Sequence, residues 1–219
     1  KNPPEKGGLF PSSADFYSKD EKGLKKKKSP LVPYKYVWYT VHHKGGITML
    51  LCGGTVYFSD GVRKIDLFIR AGRFAEQPVP NDTALDLTGL RVFPGLIDMH
   101  IHGFRGHYSM DEDTDSLRDF AAELVRYGVT SFLPTTTAAP PAVLLNTLSR
   151  LKSVSGDSSG AVIRGIYMEG PFLSPAYKGA MREDCLCVPD TALAEAFQEA
   201  SGGLLKVMAV APELEGAQA

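Results

Sequence analysis

A chain of 219 residues is long enough for one medium domain, or for a small domain joined to a larger one. Its 43% hydrophobic and 22% charged residues suit a core folded in water, and its apolar runs are too short to cross a bilayer, which argues against a membrane protein. A formal net charge of −1 gives no whole-chain reason to expect nucleic acid or an anionic membrane as a partner. Cys52, Cys185 and Cys187 include a Cys-x-Cys pair tighter than the spacing of zinc knuckles or redox sites. Free thiols in a cytoplasmic protein are therefore expected, and no secretory leader pattern opposes this.

Residues 1–48 read unlike the rest. Pro-Gly turns, scattered aromatics and the run Lys25-Lys26-Lys27-Lys28 carry no period of 2 or 3.6, so a poorly ordered leader with a solvated charge run is expected. Lys44-Gly45-Gly46 lies where its codons can form a ribosome-binding sequence upstream of Met49, which makes Met49 the expected natural first residue. Residues 49–91 alternate in short strands. Thr55-Val56-Tyr57-Phe58 runs into the turn Ser59-Asp60-Gly61, and Ile65, Leu67 and Ile69 alternate before Ala71-Gly72-Arg73. The pattern predicts a small β-domain without chemistry of its own.

The segment Val92-Phe93-Pro94-Gly95-Leu96-Ile97-Asp98-Met99-His100-Ile101-His102-Gly103 is an apolar strand ending in two histidines. Side chains alternate along a strand, so His100 and His102 project from one face, a geometry suited to a transition metal. Beyond it, helices and strands alternate. Asp111 to Asp115 supplies caps for a helix buried through Leu117, Phe120, Ala121, Leu124 and Val125, stopped by Gly128. Val129 to Leu133 is the next strand, closing at Pro134-Thr135-Thr136-Thr137. Pro140-Pro141 opens a helix buried through Leu144, Leu145, Leu148 and Leu151. Ala161 to Met168 is a third strand, Asp190 to Ala200 a third helix, and Leu204 to Val210 a fourth strand. Strands separated by helices pair in parallel, which predicts an α/β fold: half of a (β/α)8 barrel, with a doubly wound open sheet as the competitor. Glu169 ends the third strand before Gly170-Pro171, so its carboxylate is expected near His100 and His102 as a third metal ligand.

These residues carry a resemblance. Pro94 to Gly103 is similar to the first-strand signature of the amidohydrolase superfamily. Glu169-Gly170-Pro171-Phe172-Leu173, Tyr177-Lys178-Gly179-Ala180, Ser131 to Thr135 and Ala209 to Glu213 resemble the N-acetylglucosamine-6-phosphate deacetylase family. The resemblance implies a metal-dependent (β/α)8 TIM barrel behind a β-sandwich-like domain. It also implies hydrolysis of the acetamide of N-acetylglucosamine 6-phosphate to glucosamine 6-phosphate and acetate in the cytoplasm. Glu169 becomes the chief ligand of a divalent cation, zinc or iron, and His100 and His102 become ligands in members that hold a second metal. Ala180 and Met181 fall where the family contacts its sugar, and the full-length form is expected to be a dimer. The chain departs from the family at Met181 and Tyr167, both positions where histidine is usual.

The same resemblance puts the catalytic aspartate, two further histidine ligands and most phosphate-binding groups in later strands, so no catalytic residue is expected within residues 92–219. A full barrel needs about 250 residues, and this half is expected to be inactive alone. Two other readings stay open: an amidohydrolase acting on a cyclic amide, and a fragment that performs no chemistry.

Overall fold

A computed structural model of the chain describes residues 17–20, 23–26, 48–77, 83–157 and 160–218. Contacts divide the chain into two units, Lys1–Lys35 and Tyr36–Ala219. In the first, β1 (Tyr17–Asp20) pairs antiparallel with β2 (Gly23–Lys26), a hairpin that the aperiodic sequence does not announce. Lys27, Lys28 and the Lys44-Gly45-Gly46 stretch, with the leader reading that rests on them, lie outside the described residues.

The second unit begins with β3 (Thr48–Cys52), β4 (Thr55–Phe58), β5 (Gly61–Lys64), β6 (Leu67–Arg70), β7 (Arg73–Ala75), β8 (Thr83–Asp86) and β9 (Arg91–Val92). They form a four-stranded sheet ordered β7-β6-β3-β8 and a three-stranded sheet ordered β5-β4-β9. Alternation turns Leu51 and Ile69 inward, where they meet Leu87 in a small apolar cluster. The run from Ile65 to Ile69 is not one strand. Ile65 is exposed and Asp66 leaves the ladder, because its carboxylate accepts the Gly53 N–H at 2.9 Å.

The α/β part follows. β10 (Leu96–Ile101) leads into a tight hairpin of β11 (Gly103–Phe104) and β12 (His107–Tyr108). Next come α1 (Thr114–Val125), β13 (Val129–Thr136), α2 (Pro141–Val154), β14 (Val162–Ile163), β15 (Ile166–Glu169), α3 (Thr191–Ala200) and β16 (Leu205–Ala209). The parallel sheet is ordered β10-β13-β15-β16, with β14 also on β13. The Asp113 and Asp190 side chains cap α1 and α3 by accepting the N–H of Asp115 and Leu193.

The buried stripe of α1 is the one its spacing predicts, Leu117, Phe120, Ala121, Leu124 and Val125. On α2, Thr147 and Val154 join Leu144, Leu148 and Leu151, while Leu145 is only half-buried. These faces and Phe197 of α3 pack on Phe132, Ile166 and Met168 in one core. Each such large side chain contributes roughly 1.5–3 kcal/mol through its burial. Ile166 and Met168 point into that core, so Tyr167 and Glu169 must project from the opposite face.

Two strand boundaries differ from the sequence reading. The third predicted strand divides into β14 and β15 at Arg164-Gly165. The second continues through Pro134 to Thr136 instead of ending at Leu133. Proline is tolerated there because β13 changes neighbour at that point. Ser131 and Phe132 face β14, Thr135 and Thr136 face β15, and the missing N–H falls in the gap.

Candidate metal centre

β10 and β15 bring together the three side chains that the sequence singled out. Glu169 Oε2 lies 2.8 Å from His102 Nε2 and 3.1 Å from His100 Nε2, and the two nitrogens are 3.2 Å apart. Each side chain is between 30% and 45% exposed, so the triangle has an open side. His102, the residue after β10, is oriented from behind, its Nδ1–H donating to the Thr135 carbonyl at 3.1 Å. A carbonyl only accepts, so in the neutral ring this bond fixes the tautomer and leaves the Nε2 lone pair facing the carboxylate. Two lone-pair nitrogens and a carboxylate oxygen converging this closely repel one another unless a proton or a cation sits between them. Donors bonded to a tetrahedral zinc at about 2.0–2.1 Å are about 3.3 Å apart, close to the separations here. Chemistry and spacing both fit a divalent transition metal, and among the described residues these three form a donor group of that kind.

β13 stabilises the site through Thr135. Its Oγ accepts the N–H of Ile101, where the β10–β13 register shifts and the regular ladder is lost. Its carbonyl also takes the Ser109 hydroxyl at 2.5 Å. Asp98 accepts the backbone N–H of His100 at 3.1 Å, pinning the end of β10. Tyr167 lays its ring 4.6 Å from the His100 ring at 56°. Sequence reasoning missed these supports. The run of three threonines at a strand end was a signal for Thr135, but the atom that orients His102 is a carbonyl and carries no residue-type signature.

Ala180 is exposed, whereas Met181 is half-buried and its sulfur accepts the N–H of Ala138 at 3.3 Å. Ala138 in turn adjoins Gly170, the residue after Glu169: a Cβ on Gly170, whose φ is +90°, would come within 3.0 Å of the Ala138 Cβ. The Cys185 and Cys187 sulfurs do not enter the triangle. Both are free thiols, and burial followed by the Asp190 charge pushes Cys187 above the ordinary thiol range.

Residues 91–217 match the Amidohydrolase family, and the chain belongs to it. Among curated relatives, N-acetylglucosamine-6-phosphate deacetylase of Bacillus subtilis (strain 168) is 36% identical over 126 residues, covering 56% of this chain and 32% of its own length. N-acetylgalactosamine-6-phosphate deacetylase of Escherichia coli O157:H7 is 37% identical over 125 residues, covering 57% of this chain and 33% of that protein. Among solved structures, a mutant N-acetyl-D-glucosamine-6-phosphate deacetylase from Mycobacterium smegmatis, in complex with N-acetyl-D-glucosamine-6-phosphate, is 29% identical with a TM-score of 0.64. The match covers 78% of this chain and 45% of that one. The chain thus spans a third to just under half of the relatives it matches.

Proposed function

We propose that this chain is the N-terminal part of an N-acetylglucosamine-6-phosphate deacetylase. In this reading residues 49–91 are part of a β-sandwich and residues 92–219 are the first four strands of a metal-dependent (β/α)8 barrel. The observation that carries it is the convergence of His100, His102 and Glu169 at strand ends, within 3.2 Å of one another, in a chain of the Amidohydrolase family. Supporting the barrel over an open doubly wound sheet, the order β10-β13-β15-β16 contains no reversal of the kind that divides the latter.

The residues that would hold the cation are Glu169, His100 and His102, and the donor set suits zinc or iron. When bound, such a cation supplies Lewis acidity, polarising an amide carbonyl and acidifying water near neutral pH. The chain's own groups do the positioning. Thr135 fixes the His102 tautomer, Asp98 holds the His100 backbone, and the β15 register sets the Glu169 carboxylate on the side opposite the core. Ala180 and Met181 are the proposed sugar contacts. By family resemblance, the acid that protonates the departing amine belongs to a later strand of the barrel; without that proton the leaving group is an amide anion. The substrate is a small molecule, the full-length enzyme a dimer, and its location the cytoplasm, where free Cys52, Cys185 and Cys187 persist.

The test has two parts. Metal analysis of the purified chain is expected to find one bound divalent cation, and a chain that takes up neither zinc nor iron refutes the centre. Acetate release from N-acetylglucosamine 6-phosphate is expected to be negligible with the chain alone and restored with the later barrel strands supplied. Turnover by the chain alone, at the rate of a full-length relative, refutes the assignment of the acid to those strands. The Escherichia coli relative acting on the galactosamine isomer gives a second reading, which the same assay separates by comparing the two sugar phosphates.

A further inference from the structure

His100, in β10, and His102, just beyond its end, do not share a support. Thr135 holds His102 through Nδ1. The Nδ1 of His100 has no such partner among the described residues, and its side chain is the more open, 45% exposed against 34%. A ligand left to rotate loses that freedom on coordination, which weakens binding. What meets the His100 imidazole is the ring of Tyr167, centroid to centroid at 4.6 Å and tilted by 56°. The placement follows from the β15 register. Ile166 and Met168 are fully buried in the core, so Tyr167 and Glu169, two residues apart, leave the strand on the same side. A single short strand thus supplies one ligand and a wall for another.

Resting on the metal-centre reading above, we propose that Tyr167 is the positioning residue of His100, restricting its imidazole through ring contact as the Thr135 carbonyl restricts His102. The support is the face and edge of the ring, not the hydroxyl. Phenylalanine should therefore replace it, and an aliphatic residue should not.

Zinc titration of the 219-residue chain by calorimetry tests this. Tyr167→Phe is expected to bind within about twofold of the native chain, and Tyr167→Ala about three- to tenfold more weakly, as loss of one aromatic pair implies. Tyr167→Leu, which keeps most of the volume, is expected to follow alanine and serves where the alanine variant fails to fold. In the metal-free chain, long-range imidazole nitrogen–proton spectra are expected to show His100 conformationally averaged in the alanine variant and His102 unchanged, a readout that general loosening would not give. Native affinity in Tyr167→Ala and Tyr167→Leu, or equal losses in Tyr167→Phe and Tyr167→Ala, overturns the proposal while leaving the metal centre standing. Failure of the native chain to bind zinc overturns both.

Discussion

Glu169 is the hinge of the candidate site because one of its oxygens faces both histidines. Glu169→Gln keeps the shape but removes the charge and half of the acceptor capacity. The expected result is a loss of zinc affinity beyond the roughly 10–100-fold typical of changes to groups behind the ligands, with the metal-free melting temperature little altered. Calorimetry and thermal unfolding measure the two, and intact affinity would favour an amidohydrolase of another type. A pH effect belongs to Cys187. Burial, then Asp190, raises its thiol, so the folded chain keeps the proton to higher pH than the unfolded chain. The stability this contributes is complete below the ordinary thiol value and is lost as pH rises through the folded value. Iodoacetamide labelling of Cys187, followed by mass spectrometry from about pH 7 to 10, should lag behind labelling in urea. At this scale the grouping of His100 with His102 was legible, because a strand's period of two brings them to one side. Thr135 and Tyr167 were not, since one acts through a carbonyl and the other through its contact with a neighbouring strand.

Among the elements, the helices were the most legible part. Leu117, Phe120, Leu124, Leu144, Leu148 and Leu151 recur at helical spacing and are all buried. Strand limits were less so, because Pro134 looks like an end until the change of partner from β14 to β15 supplies a place for its missing N–H. The loop that returns from α2 offers a matched pair of tests. A Cβ on Gly160 would meet the backbone of Ala121 at 2.3 Å and of Ala122 at 2.4 Å, and the adjoining Ala161 N–H donates to the Ala121 carbonyl at 2.8 Å. Backbone cannot swing aside as a long side chain can. Gly160→Ala is therefore expected to destabilise the chain by about 1–3 kcal/mol, seen as a lower urea midpoint. Gly156 has nothing within 4 Å of such a Cβ, so Gly156→Ala is expected to be neutral or to stabilise by up to about 1 kcal/mol. Equal effects at the two positions would mean that the loop does not pack on α1 as described.

At the scale of the Tyr36–Ala219 unit, the alternation of strand and helix was readable because parallel neighbours demand a crossover, and the helical and strand periods differ. The place of β10 at one end of the order β10-β13-β15-β16 was not readable, since periodicity shows which segments are strands and not which edges are paired. Among the described residues β10 pairs with β13 alone. Leu96, Ile97 and Met99 of this strand are 54%, 66% and 60% exposed. An open strand edge beside exposed apolar side chains favours pairing with another chain. Sedimentation velocity over about a tenfold concentration range should therefore show self-association of the chain. Ile97→Lys with Met99→Lys should reduce it, because two charges added beside an open edge resist strand pairing. Neither residue belongs to the donor group of His100, His102 and Glu169, so the double variant should leave zinc affinity within about twofold, a separation that distinguishes a blocked edge from a collapsed site. A native chain that stays monomeric throughout would mean that β10 is covered in solution.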